Sequence, residues 1–215
     1  YKNVIVLRAL GTITNNTSIN VGSSGLQGDN GAAILNSATG IINGTALNGK
    51  AMVGTGIGTT LTNNGVINLT GDKSIGIYAE DFAIGTSTGH ISVGDKSAAY
   101  YAGADGILNI SGTANIGEES TLLYAAGGNI NYTGSDIVIG NKNIALTLSG
   151  TSLVDFNGKN VTVGNEGTGI FITGTGDFSG VSNLGDITVG SKGTAVYLDN
   201  PAAFISGNNI NLMGC

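Results

Sequence analysis

Apolar and polar residues alternate along this chain in short bursts. Ile187 and Val189 flank Thr188, and a few positions later Val196 and Leu198 share one parity while Ala195 and Tyr197 share the other. Alternation of period two, bounded by Gly, Asn and Ser, predicts short half-buried β-strands. A third apolar run precedes each new copy, as in GILNI (106–110), SLVDF (152–156) and AAFI (202–205). Helical spacing is not sustained anywhere in the chain.

The bursts repeat. ITVGSKGTAVY (187–197) is echoed by VTVGNEGTGIF (161–171), IVIGNKNIALT (137–147), ANIGEESTLLY (114–124) and ISVGDKSAAYY (91–101). Seven places after the Gly stand Tyr78, Tyr101, Tyr124, Thr147, Phe171 and Tyr197, at spacings of 23, 23, 23, 24 and 26. The first apolar position keeps the same rhythm through Ile67, Ile91, Ala114, Ile137, Val161, Ile187 and Ile210. Residues 19–66 carry a degraded version, in which GDNGAAIL (28–35) mirrors GSKGTAVY (190–197) and KAMV (50–53) is a further copy. Before residue 19 the repeat has no clear placement.

Three strands and three turns in 23–26 residues form the unit of a parallel β-helix. The expected fold is therefore all-β, a right-handed parallel β-helix (solenoid) with three short strands per coil of about 23–26 residues. Propeller blades need longer repeats, and leucine-rich repeats carry a helix and a Leu signature that are missing here. Coils of a trimeric-adhesin head, with their similar VG repeats, are far shorter. The whole of 1–215 reads as one β-helix segment, irregular over 1–60 and regular over 61–215. Eight to nine coils stacked about 4.8 Å apart would make a rod of roughly 40 Å.

Composition fits a narrow solenoid interior. Of 215 residues 38 are Gly, only 10% are charged and 40% are apolar, which is too apolar for disorder. A net charge of −6 with 8 Lys plus Arg leaves no basic patch for nucleic acid or anionic lipid. The single Cys, Cys215, excludes an internal disulfide framework and a Cys-rich metal site. The start, YKNVIVLRAL, lacks a basic leader and a long apolar run, so the chain reads as a piece of a longer one.

Stacking turns motif positions into columns. Two places after the Gly stand Lys73, Lys96, Glu119, Lys142, Glu166 and Lys192, alternating in sign from Lys96 onward. This is expected to be a solvated corner with weak ion pairs, or alternatively a device that fixes register. With Ile77, Leu123, Leu146, Ile170 and Val196 pointing inward, Tyr78, Tyr101, Tyr124, Phe171 and Tyr197 point outward. Parity puts Gly76, Ala99, Leu122, Gly169 and Ala195 beside them, as a shallow track of mostly small residues. The stripe is read either as stacking that stabilises the sheet or as the ligand-binding surface for a glycan or protein. Tyr100, at an inward position, is the misfit.

Catalytic chemistry finds little support. The one Arg, Arg8, lies in the irregular start, and no long loop covers a cleft. His90 occupies a turn position held elsewhere by Val66, Thr113, Asp136, Asn160, Asp186 and Asn209, which reads as exposed turn rather than catalytic base. Neither Glu80–Asp81 nor Glu118–Glu119 suits acid–base work, and GTGIG (54–58) precedes no helix. Calcium-binding glycine–aspartate repeats do not occur. The Thr-x-Thr pairs at 12–14 and 60–62, of the kind that ice-binding β-helices stack, read as out of register. No cofactor and no metal are expected.

NLGDITVGSKGTAVY (183–197) and NNGVINLTGDKSIGIYAE (63–80) resemble passenger repeats of large fusobacterial autotransporter adhesins, the type V secreted outer-membrane proteins. The resemblance spans residues 60–215 well and the first 60 poorly. It implies a rod on the bacterial cell surface, exported through the outer membrane and held there by a barrel domain outside this segment. It further implies adhesion to glycans or proteins of host cells or other bacteria. The alternatives are a purely structural stalk and a polysaccharide-cleaving β-helix enzyme.

Overall fold

The computed structural model describes residues 5–7, 10–174 and 178–212, with backbone alone at 6, 7 and 210–212. Arg8 and Cys215 lie outside the described residues. The described chain is all-β and contains no helix. It visits three faces in turn, nine times. Sheet 1 runs from Ile5–Leu7 to Thr194–Asp199 and sheet 2 from Gly11–Asn15 to Phe204–Gly207, each with nine strands. Sheet 3 runs from Ser18–Val21 to Ile210–Leu212, in blocks of five and four strands. Every strand pairs in parallel with its counterpart one coil away. The fold is thus the expected parallel β-solenoid.

Coil length ranges from 21 residues (Ile5 to Leu26) to 27 (Ile34 to Leu61, and Val154 to Val181). The first coils stack in the same three sheets as the rest, so the solenoid extends below residue 19. KAMV is the sheet 1 copy expected, since Lys50 pairs with Ile75 and Val53 with Tyr78. GDNGAAIL is not a copy of GSKGTAVY. Ala32–Asn36 belongs to sheet 2, whereas Thr194–Asp199 belongs to sheet 1, so this segment turns a different corner. The Thr-x-Thr pairs do share columns. Thr12 and Thr60 stand above and below Ala33, and Thr14 and Thr62 above and below Leu35, so no continuous threonine ladder results.

Inward columns of Ile, Leu and Val fill the interior, with Ile77, Leu123, Leu146 and Ile170 fully buried as expected and Val196 partly exposed. The corners are equally regular. Gly65, Gly89 and Gly112 turn from sheet 2 to sheet 3, and a Cβ at each would lie 2.1–2.2 Å from a glycine carbonyl oxygen of the coil below. The corner into sheet 1 is left-handed, with φ of 53–59° at Lys73, Lys96, Glu119, Lys142, Glu166 and Lys192.

A polar column runs inside the second corner. Asn15, Asn36, Asn63 and Ser87 stack in register. Asn15 Nδ2 donates to Asn36 Oδ1 at 2.8 Å, Asn36 Nδ2 to Asn63 Oδ1 at 2.8 Å, and Asn63 Nδ2 to Ser87 Oγ at 3.3 Å. This ladder explains Tyr100. Its ring replaces the aliphatic residue of its column, and its hydroxyl meets Ser87 Oγ at 3.4 Å, where the ladder ends. Above Ser87 the column turns apolar, with Ile110 and then Tyr132. Burial pushes the Tyr100 phenol up to about 12, the Ser87 contact opposing the shift.

A further expectation fails. Gly76, Ala99, Leu122, Gly169 and Ala195 are buried and do not form an outer track. Sheet 1 bends at this position in every coil from the second onward: the register passes, for example, from Ile75–Ala98 to Ile77–Tyr100 and omits the residue between. Two consecutive side chains therefore point inward, and simple alternation breaks. A Cβ on Gly76 would stand 2.5 Å from the Ala99 carbonyl oxygen and 2.7 Å from Ile91 Cγ2, so small size there is a core requirement.

Asn36→Leu should lower stability by about 3 kcal/mol, because it strands the amides of Asn15 and Asn63 in the interior. Urea denaturation followed by circular dichroism measures it. An unchanged midpoint would show that the ladder carries no stability.

Candidate functional site

The aromatic column lies on the outer side of sheet 1, as parity requires, and the register stacks it ring on ring. Tyr78 and Tyr101 have centroids 4.8 Å apart at 14°, Tyr101 and Tyr124 are 4.9 Å apart at 15°, and Phe171 and Tyr197 are 4.8 Å apart at 11°. These distances match the strand spacing of about 4.8 Å, so each ring stacks on its counterpart in the next coil. Thr147 occupies the fourth rung and divides the column into a stack of three and a stack of two. Tyr78, Tyr101, Tyr124 and Phe171 are half-buried, and Tyr197 is 46% exposed.

Face-to-face stacking decides what the column can offer. The ring faces inside each stack cover one another, so a sugar cannot lie flat on Tyr101. The outward surface consists of ring edges and hydroxyls. Below Tyr78, Lys50 Nζ stands 4.0 Å from the ring centroid and closes the bottom face by a cation–π contact. Tyr78 Oη donates to Glu80 Oε2 at 2.5 Å. Burial, then the Glu80 bond, drives the Tyr78 phenol far above its ordinary value. Burial also raises Tyr101, with Tyr124 and Glu80 contributing. Among the described residues, the hydroxyls of Tyr101 and Tyr124 have no hydrogen-bond partner in the protein.

Beside the column runs a shallow groove of about 240 Å³. Tyr101 and Tyr124 form one wall, Lys73, Lys96 and Glu119 the other, and Ser97 and Ala98 are among the floor residues. The charged corner contributes one ion pair among the described residues, Lys96 Nζ to Glu119 Oε2 at 3.6 Å, with both side chains 55% exposed. Lys73 has no anionic partner there. The groove thus combines free phenol hydroxyls with a free ammonium on the surface of a chain whose net charge is −6.

Sequence reasoning placed the five rings on one face and the charges on one corner, but not the groove between them. It also missed the contacts of Lys50 and Glu80 with Tyr78, whose signals were the KAMV copy aligned under Ile75 and the Tyr-x-Glu spacing on one strand face. His90 lies on sheet 3, its Nδ1 2.8 Å from Thr113 Oγ1 and its Nε2 3.1 Å from Ser92 Oγ. Both ring nitrogens are engaged in neutral contacts. Among the described residues, no three His, Cys, Asp or Glu side chains gather into a metal-binding group.

Two substitutions at one corner separate charge from backbone. Glu119→Lys leaves four lysines in succession, at 73, 96, 119 and 142, and should cost about 1 kcal/mol or less, because the corner is exposed and screened. Glu119→Gly should stabilise by about 1 kcal/mol, because φ is 53° there and glycine adopts it without strain. Thermal melting of the two variants tests both signs; a fall of more than about 10 °C for Glu119→Lys would place the column in a buried environment.

The phenols set an alkaline limit. The fold disfavours ionised Tyr78, Tyr100 and Tyr101. The unfolded chain ionises from about pH 10, so stability is constant with respect to these groups below that value and falls above it. Melting temperature measured from pH 8 to 12 should decline from about pH 10, and less steeply in Tyr78→Phe.

No protein-family model, no curated protein and no solved structure matches this chain.

Proposed function

We propose that this chain is a segment of a bacterial surface adhesin that binds a glycan or protein of host cells or other bacteria through the groove beside the aromatic column of sheet 1. The observation that carries this reading is the juxtaposition of unpartnered Tyr101 and Tyr124 hydroxyls with the unpaired Lys73 ammonium in one open groove. Polar hydrogen-bonding groups repeated at the coil rise suit an elongated ligand lying along the rod axis. Ring edges, in place of ring faces, favour contact through ligand hydroxyls, amides or carboxylates. The resemblance to autotransporter passenger repeats supplies the rest of the proposal: export as a type V passenger and presentation at the outer membrane by a barrel outside this segment.

A second reading rests on a different observation. The rings already satisfy one another at 4.8–4.9 Å and are half-buried, which suits a stalk whose aromatic column only stiffens the sheet. Tyr101→Ser combined with Lys73→Ala separates the two readings. The adhesin reading expects the purified variant to keep its β-solenoid circular dichroism and to lose most attachment in cell-binding and glycan-array assays. Full attachment by the folded variant would assign the column to the stalk.

A further inference from the structure

The division of sheet 3 into two blocks is a physical opening in the wall. Strand Thr113–Ile116 ends the lower block and strand Ile137–Ile139 begins the upper one, and the two do not pair. Their Cα atoms lie mostly more than 8 Å apart, whereas hydrogen-bonded strands stand about 4.8 Å apart. Sheets 1 and 2 continue without interruption through the same coils. Sequence accounts for the break. Ala114 follows Ile110 by four positions, but Ile137 follows Tyr132 by five, so the upper coil carries one extra corner residue. Tyr132 fills that corner from inside, its hydroxyl donating to the Ser135 carbonyl at 2.9 Å, and a Cβ on Gly134 would meet that hydroxyl at 2.8 Å.

The opening is a fissure of about 170 Å³. Its floor is apolar, formed by Tyr100, Leu122, Tyr132 and Ala114, the last standing in a column otherwise held by Ile and Val. Its lips are backbone. Thr113 N–H bonds downward to the Gly89 carbonyl and Gly117 N–H to the Val93 carbonyl. Alternation along a parallel strand therefore turns Ala114 and Ile116 upward, into the fissure. On the upper lip, Ile137 N–H bonds upward to the Asn160 carbonyl and the Ile139 carbonyl accepts from Gly164 N–H, so Val138 faces down. The Ala114 carbonyl, the Ile116 N–H and both backbone groups of Val138 have no protein partner among the described residues. The Val138 side chain is 75% exposed.

We infer that this fissure is a strand-acceptor slot, which binds a short extended peptide of a partner protein as the missing strand of sheet 3. Donors and acceptors stand on both lips, and a peptide backbone presents the matching alternation to two sides at once. The facing backbone groups of the two strands are left unpaired, which is what an added strand needs on both of its edges. An apolar floor under a polar rim, with Thr113 and Asp136, selects a segment with an apolar residue pointing inward between polar or β-branched neighbours. This inference is independent of the groove on sheet 1.

The probe is a fluorescently labelled, acetylated and amidated pentapeptide with the sequence of residues 160–164, NVTVG, the strand that this fold pairs above Ile137–Ile139. Expected results are saturable anisotropy binding to the full chain and slower hydrogen exchange, by about tenfold or more, at the Ile116 and Val138 amides. The same peptide N-methylated at its central Thr should not bind. Ala114→Ile, which restores the column and fills the floor, should abolish binding. Val138→Pro, which removes one lip donor at an exposed site, should weaken it about tenfold or more even if Ala114→Ile misfolds. Tyr101→Ser should bind as the parent does. Absence of protection at Ile116 and Val138, equal binding of the N-methylated peptide, or unchanged binding by Val138→Pro would each overturn the slot. Protection that develops with protein concentration alone would assign the slot to a second copy and overturn the partner reading.

Discussion

The constraint on which this structure depends is the in-register stacking of equivalent positions one coil apart. In a parallel solenoid the nearest neighbour of a side chain is the residue at the same motif position, about 4.8 Å along the axis. Each column must therefore be compatible with itself. Asn stacks on Asn because an amide is both donor and acceptor, and Tyr on Tyr because rings tolerate a spacing near 4.8 Å. Glycine stacks on glycine at the second corner because the carbonyl below leaves no room for a Cβ. Like charges are tolerated in the corner column only where water screens them.

The same constraint makes departures informative, because a change in one column must be accommodated by its neighbours. Tyr100 puts a large ring where other coils hold Leu, Met, Ile or Val, and its coil carries Ala114 where the neighbouring column otherwise holds Ile or Val. Its hydroxyl closes the asparagine ladder through Ser87, and the column above becomes Ile110 and Tyr132. Tyr132, with the extra corner residue, displaces the wall and breaks sheet 3. Two tyrosines in consecutive coils thus convert a closed interior into one with a lateral opening.

On the outer face the stacking decides chemistry as well as stability. An isolated surface tyrosine offers a ring face, but a column of tyrosines at the coil rise conceals its faces and leaves hydroxyls and edges. Tyr78 spends its hydroxyl on Glu80 and its lower face on Lys50, so it caps the stack. Tyr101 and Tyr124 keep theirs for solvent or a ligand. The useful surface lies to one side of the rings, between them and the charged corner.

Sequence by itself determined the repeat, the three strands per coil, the parallel stacking and the outward placement of Tyr78, Tyr101, Tyr124, Phe171 and Tyr197. Those features follow from spacing and parity, which are local and repeat six or more times. Only the tertiary structure decided where parity fails. The bend at Gly76 and its counterparts turns two successive residues inward, which period-two reasoning assigns to opposite faces. The misplacement of GDNGAAIL has the same origin, since two corners use similar Gly-rich strings and only coil-to-coil hydrogen bonds distinguish them. Ring stacking, the groove and the fissure all arise between residues that lie 21 to 27 positions apart in the chain. Their dimensions are set by how columns of unequal side chains share one axial rise, which depends on the packed solenoid and not on any single repeat.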